Sequence, residues 1–150
     1  ITVPDNRWKR RDIKTTQLLA QSIAKSSAVQ KGLDDSLLVQ DGFINEGSSS
    51  NAFIIKDDNI YTPSLSNFIL GGITRSTVIE FCKTKNIQIK EQKIHVDDVM
   101  HAQEVFLTSA TGFVIPVIEI DGIPVGNGSV GDKVKEIQQI YLEQIKSKLS

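Results

Sequence analysis

A mixed α and β fold in which antiparallel strands dominate is what this 150-residue sequence predicts. Three observations predict it. Helical and strand-like hydrophobic periods alternate along the chain with no internal repeat and no low-complexity tract. Short apolar runs flank tight-turn signals at Asp41-Gly42, at Asp57-Asp58-Asn59 and again at Asp121-Gly122. The C-terminal stretch has the 3.6-residue period of an amphipathic helix.

Taken in order, the chain enters at "ITVPDNRW", which reads as the tail of a strand followed by a Pro-Asp-Asn turn, and so as the start of a fragment. The first helix is expected from about Thr15 to Gln30, with Leu18, Leu19, Ser22, Ile23 and Val29 on one core-facing stripe and Gly32 beyond it as a C-cap. "SLLVQDGFINEGS" and "NAFIIKDDNIYTP" read as two hairpins. From Gly72 the pattern turns helical through "ITRSTVIEFCKTKN", and "IQIKEQKI" follows as a strand. A short helix near Asp97 to Gln103 precedes the strands "EVFLTS" and "FVIPVIEIDGIPV", the second folding back at Asp121-Gly122. Val134, Ile137, Ile140, Tyr141 and Ile145 then recur at helical spacing in the closing helix.

Composition bounds the function. With 39% hydrophobic and 23% charged residues and a net charge of -1, the chain has the make-up of one folded domain over residues 1–150, with no sign of disorder or a membrane span. Near-neutral charge also argues against nucleic acid, so a small molecule is the expected partner. The run "RWKRR" at Arg7 to Arg11 is too short for a phosphate-backbone surface and reads as a solvated or cofactor-proximal face. One cysteine, Cys82, and an N-terminus without an apolar signal region point to a cytoplasmic protein. Cys82 lies in an apolar helical run and reads as a core thiol. His95 and His101 have no neighbouring cysteine or third ligand, so no metal is expected.

Chemistry is suggested first by Lys14, in "RRDIKTTQLLAQSIA". Its neighbours Ile13, Leu18 and Leu19 recur at core-facing spacing, which predicts a lysine held away from solvent rather than a surface charge. Three polar clusters border apolar runs: "NEGSSSNAF" (45–53), "LGGITRS" (70–76) and "LTSATGF" (107–113). A helix that begins at Ile73-Thr74 after two glycines offers free N–H groups and the positive end of the helix dipole, as a phosphate site requires. Taken alone, that stretch reads more readily as a capping threonine after a glycine turn.

Together with Lys14 and Glu46, the clusters resemble, in order and at matching spacing, the large domain of the class IV (fold type IV) pyridoxal-phosphate aminotransferases. The likeness covers essentially the whole chain and is nearest to the D-amino-acid aminotransferases. It implies an α+β fold, an antiparallel-strand-rich pseudo-barrel with flanking helices, which is the large C-terminal, cofactor-binding domain of that family. It also implies a smaller N-terminal domain ahead of the lysine, which these 150 residues do not include.

The resemblance assigns roles residue by residue. Lys14 falls on the lysine that bonds the aldehyde of pyridoxal 5'-phosphate and later carries the proton at the substrate α-carbon; an amine on a long stem suits both tasks. Glu46 falls on the carboxylate set against the pyridine nitrogen, which it keeps protonated. Leu70 falls on the apolar residue that packs against the ring, and Ile73 and Thr74 on the phosphate cup, which Ser109, Ala110 and Thr111 complete. Ser49 and Ser50, with Ser48 and Asn51 beside them, would line the cofactor and substrate pocket. Arg7 falls where D-specific members also carry arginine and would contact substrate. Two positions depart from the family's pattern. Ala110 replaces a common threonine, which leaves the hydroxyl to Ser109 or Thr111, and Arg11 stands where a cysteine is frequent.

The activity so implied is ping-pong transamination between an amino acid, D-amino acids favoured, and a 2-oxo acid, in a homodimer. Branched-chain L-amino-acid aminotransferase and aminodeoxychorismate lyase share the fold and the lysine-glutamate pair and stay open as alternatives. An alternative of another class is a chain that folds but does not turn over.

Overall fold

The computed structural model describes residues 1–149. From the N-terminus it runs β1 (Thr2–Pro4), α1 (Leu19–Val29), β2 (Leu37–Gln40), β3 (Phe43–Gly47), β4 (Asn51–Lys56) and β5 (Asn59–Thr62). After a loop come α2 (Ile73–Thr84), β6 (Ile89–Glu91), β7 (Ile94–His95), α3 (Val96–Met100), β8 (Glu104–Ser109) and β9 (Phe113–Val117). The hairpin β10 (Glu119–Ile120) and β11 (Ile123–Pro124) leads to α4 (Asp132–Leu149).

The three expected turns form where the sequence sets them. Asp41 and Gly42, Asp57 and Asp58, and Asp121 and Gly122 all have positive φ, between 49° and 79°. Paired left-handed residues match a two-residue loop to the twist of the strands it joins, and Asp and Gly tolerate that conformation. The strands assemble as β1-β2-β3-β7 and β6-β5-β4-β8-β9, with β10 and β11 pairing separately. Pairing is mostly antiparallel, the parallel pairs being β1–β2 and β5–β6.

β4 reads "NAFIIK" because it is buried on both faces. Phe53 and Ile55 join Val78, Phe81, Val134 and Ile137 beneath α2 and α4. Ala52 and Ile54 face the other way, toward Leu37, Ile44, Ile94 and Val99. Phe53 stacks on its cross-strand partner Phe106 at 4.6 Å. The five-stranded sheet is thus the middle layer, and the ends of β3, β4 and β8 lie together at one edge of it. In α4, Val134, Ile137, Ile140 and Tyr141 are buried as the period predicts. Cys82 is a core thiol, and burial pushes its pKa up to about 11.

Several expectations are corrected. The first helix begins at Leu19, so Thr15 and Thr16 remain outside it. Its supposed core stripe faces outward: Leu18, Leu19, Ile23 and Val29 are 53%, 75%, 59% and 59% exposed, while Ala24 and Ala28 are buried. The two alanines allow a close approach, and Ser36 Oγ donates to Ala24 O at 2.5 Å to hold it. "IQIKEQKI" is not one strand. β6 pairs with β5 and β7 with β3, because Gln92 N donates to Thr62 O (3.0 Å) and the chain then crosses between sheets. The short helix occupies Val96–Met100, with His95 Nδ1 accepting from Asp97 N at its start.

Candidate active site

The site grows from a charged segment between β1 and α1. Parallel pairing of β1 with β2 continues into Asp5, whose N–H donates to Val39 O at 2.8 Å, and this fixes the carboxylate that follows. Arg7 grips that carboxylate with both edges of its guanidinium: Nε donates to Asp5 Oδ1 (2.9 Å) and Nη2 to Oδ2 (2.8 Å). Its remaining nitrogen, Nη1, donates to Glu46 Oε2 at 2.5 Å. All three side chains are buried, at 0%, 7% and 5% exposure for Asp5, Arg7 and Glu46.

Glu46 reaches this segment because β3 is irregular. Between Leu38 and Val39 the register with β2 slips, so that Leu38 faces Glu46 but Val39 faces Ile44. The extra residue is Asn45, and a bulge of this kind re-aims side chains. Consecutive residues consequently serve one cluster: Asn45 Nδ2 donates to Asp5 Oδ2 (2.9 Å) while Glu46 meets Arg7. The other oxygen of Glu46 accepts from Asn51 Nδ2 (2.9 Å) on β4 and from Leu70 N (2.9 Å) on the loop before α2. Asn51 also donates to Leu70 O at 2.8 Å, which locks that loop to β4.

Burial pushes the Glu46 carboxyl above its usual range, against the opposing pull of Arg7 and the Leu70 N–H. Burial also works to raise Asp5, but hydrogen bonds from Arg7 and Asn45 and the charges of Arg7 and Arg11 outweigh it and hold Asp5 low.

Beside Glu46 opens a cavity of about 590 Å³. Most residues expected in the site stand on its wall: Arg7, Lys14, Glu46, Ser49, Ser50, Leu70, Ile73, Thr74, Ser109 and Ala110. Thr111 does not; it is exposed in the β8–β9 turn, so of the two residues expected to supply the hydroxyl there only Ser109 lines the cavity. Ser109 Oγ accepts from Gly112 N at 3.0 Å and retains its own hydrogen. Gly72 caps α2 without a side chain, so no side chain occupies the N–H groups of Ile73 and Thr74. A Cβ added at Gly72 would collide with Asn51 Oδ1, so the bare cap and the Glu46 support share one space.

Lys14 differs from expectation. It is exposed on the cavity wall in the loop ahead of α1, because Ile13 (44% exposed), Leu18 and Leu19 do not enter the core. Among the described residues its amine makes no hydrogen bond or ion pair. Arg7 and Arg11, expected on a solvated or cofactor-proximal face, turn inward, whereas Trp8, Lys9 and Arg10 are exposed. Sequence reasoning missed Asp5, which reads as a turn residue, and Thr108, whose hydroxyl is buried on the cavity wall without a partner, like that of Ser50. The signal for Asp5 was its spacing of two from Arg7, close enough for one side chain to brace the next.

Residues 2–120 match the family model described as amino-transferase class IV. The chain belongs to the class IV aminotransferases. It is similar to the D-alanine aminotransferases of Bacillus licheniformis, 38% identical over 147 residues, and Staphylococcus aureus (strain COL), 40% identical over 147 residues. Each match covers 98% of this chain and 52% of the relative. Among solved structures, the T.th. branched-chain amino acid aminotransferase complexed with N-(5'-phosphopyridoxyl)-L-glutamate is 31% identical with a TM-score of 0.86. That likeness covers 95% of this chain and 51% of the other. The branched-chain amino acid aminotransferase from Escherichia coli is 30% identical with a TM-score of 0.77, covering 93% of this chain and 50% of its own. The chain spans about half the length of the curated relatives it matches. These likenesses agree with the expected α+β fold of sheets and flanking helices.

The low pKa of Asp5 has a consequence for acid stability. Its folded value lies below that of the unfolded chain, so its ionised form stabilises the fold above about pH 4, and that contribution is lost as pH falls through the lower folded value. Asp5→Asn is expected to cost about 3 kcal/mol at pH 7, because it strips a buried guanidinium of its partner. The difference from the native protein should shrink toward zero below pH 4. Urea denaturation from pH 3 to 7 measures it, and a difference independent of pH would contradict the assignment.

Proposed function

We propose that this chain forms the cofactor-binding part of a pyridoxal-phosphate-dependent aminotransferase that exchanges an amino group between an amino acid, D-amino acids favoured, and a 2-oxo acid. One observation carries the proposal: a single cavity joins a lysine amine that is unpaired among the described residues, a buried and doubly braced carboxylate, and a helix N-terminus with a bare glycine cap. The preference for D-amino acids is supported by identities of 38–40% to D-alanine aminotransferases, against 30–31% to the branched-chain structures named above.

The residues present fit the cofactor. A phosphate needs convergent donors, and the N–H groups of Ile73 and Thr74 stand at the positive end of α2, with Ser109 and Ala110 on the same cavity wall. The partnerless hydroxyls of Ser50 and Thr108 are further unspent donors on that wall. Leu70 presents an apolar side chain beside them, suited to the flat of a ring. When bound, pyridoxal phosphate supplies an electron-withdrawing ring that takes up the pair released from the substrate α-carbon.

The chain's own residues do the rest. Lys14 Nζ, without a carboxylate partner among the described residues, would hold the cofactor through its aldehyde and would stand to move the proton at the substrate α-carbon. Glu46 would keep a proton on the ring nitrogen. Its carboxylate is fixed before any ligand arrives, because Arg7, Asn51 and the Leu70 N–H hold both oxygens, so little reorganisation accompanies the chemistry. Ser49, exposed at the rim, and the cavity face of Arg7 are the proposed substrate contacts.

Three measurements test this reading. Added pyridoxal phosphate is expected to give a visible absorbance band, and borohydride reduction followed by peptide mapping should place the label on Lys14; a label on another lysine would sink the proposal. Glu46→Gln removes the charge but nearly keeps the shape, and should slow transamination on the order of a hundredfold while cofactor affinity changes far less. Equal losses in both would make Glu46 a structural residue. A homodimer belongs to the same proposal, supported by the outward apolar face of Leu18, Leu19, Ile23 and Val29 with Trp8 nearby (51% exposed). Sedimentation equilibrium over a wide concentration range should show a dimer or larger, and a monomer of 16.6 kDa throughout would rule it out.

A further inference from the structure

Arg11 is the buried residue of the basic run that the proposed chemistry leaves without a part. Its side chain is 4% exposed. Nη1 donates to Gln40 Oε1 on β2 at 2.8 Å and stands 3.4 Å from Asp5 Oδ2, while Nη2 donates to Arg7 O at 3.1 Å and Asp5 O at 3.4 Å. The guanidinium lies over the Phe68 ring, 5.0 Å from its centroid, and Arg11 N donates to Asn67 O at 2.8 Å. One side chain thereby ties together the segment carrying Arg7, the strand paired with Glu46, and the loop whose Leu70 N–H holds Glu46.

The charges are equally informative. Asp5, Arg7, Arg11 and Glu46 form a buried group of two anions and two cations. Without Arg11, one guanidinium would stand between two carboxylates in a medium that screens poorly. Arg7 is bidentate to Asp5 and makes a single contact to Glu46. Glu46 is therefore the carboxylate that would take up a proton, and burial already pushes it in that direction. The charged and polar groups facing Glu46 are Arg7, then Asp5 and Arg11, from the segment after β1, Asn51 from β4, and the Leu70 N–H from the loop before α2. Lys14 and Lys25 share its cavity. Lys25 is committed to Asp35 and to Asp34 O.

We propose that Arg11 is a positioning residue for Glu46: it supplies the second positive charge that lets Asp5 and Glu46 both remain ionised around Arg7, and so keeps a carboxylate, rather than a carboxylic acid, facing the cavity. Its catalytic meaning rests on the reading of Glu46 as the ring-nitrogen partner.

The test is the titration of the Glu46 carboxyl by ¹³C NMR in the full chain without cofactor, with Glu46→Gln identifying the resonance. Arg11→Gln removes the charge and should raise the Glu46 midpoint by about one pH unit. Arg11→Lys keeps the charge while losing the fork and should leave the midpoint near its native value. A native midpoint in folded Arg11→Gln, or equal displacement in both variants, would overturn the proposal. If Arg11→Gln does not fold, Arg11→Lys decides, a native midpoint supporting the proposal and a raised one overturning it. Because the titration needs no cofactor, failure of pyridoxal phosphate to label Lys14 would defeat the functional reading alone, and an unmoved Glu46 beside a labelled Lys14 would defeat only this inference.

Discussion

The contact between Arg7 and Glu46 is the interaction on which the rest of the site depends. Placing two charges away from water is costly, and their mutual attraction offsets that cost only when hydrogen bonds satisfy the remaining atoms. Here they do. Arg7 spends its other nitrogens on Asp5, and Glu46 accepts from Asn51 and from the Leu70 N–H. The result is a carboxylate oriented from three directions, by the segment after β1, by β4, and by the loop leading into α2. A free surface glutamate would sample many rotamers, whereas this one arrives at the cavity with its direction set. The same contacts couple the carboxylate to the bare cap of α2, since Asn51 holds Glu46 and Leu70 and also fills the space behind Gly72.

Secondary structure prepares this arrangement at two points. Parallel pairing of β1 with β2 carries Asp5 into the interior, and the slipped register of β3 turns Asn45 and Glu46 toward the same cluster. In a regular strand successive side chains point to opposite faces, so these two residues could not both meet the Asp5–Arg7 pair. The bulge resolves that conflict. The middle layer of the fold does the complementary work, since β4 and β8 are buried on both faces and bring Asn51 and Thr108, directly opposite each other, to the cavity edge on a rigid base.

Much of this was legible in the sequence, and the parts that were not share a cause. The three turns were legible because Asp and Gly tolerate positive φ and few other residues do. Glu46, Ile73, Thr74, Ser109 and Ala110 were named through the family resemblance of their motifs taken together, since the stretch at Ile73-Thr74 alone reads as a capped helix start. Lys14 is legible by its type and position, yet the spacing argument for its burial fails. Ile13, Leu18 and Leu19 suggest a buried lysine, and all three are exposed. Helical spacing reports that an apolar stripe exists, not what covers it, and here the helix packs through Ala24 and Ala28 while its larger residues face outward.

By itself the sequence determined the class of fold, the order and turns of its hairpins and the succession of polar clusters, because each of these is written in residues within a few positions of one another. Tertiary structure alone decided that Asp5 is the hub of a buried charge group, that two arginines of a basic run turn inward while Trp8, Lys9 and Arg10 do not, that Thr111 stands outside the cavity, and that a bulge aims Glu46. Those outcomes depend on partners up to about 40 positions away, such as Arg7 with Glu46 and Asp5 with Asn45. A charge is buried or solvated according to whether an opposite charge and enough donors meet it in three dimensions, and no local pattern of residues records that meeting.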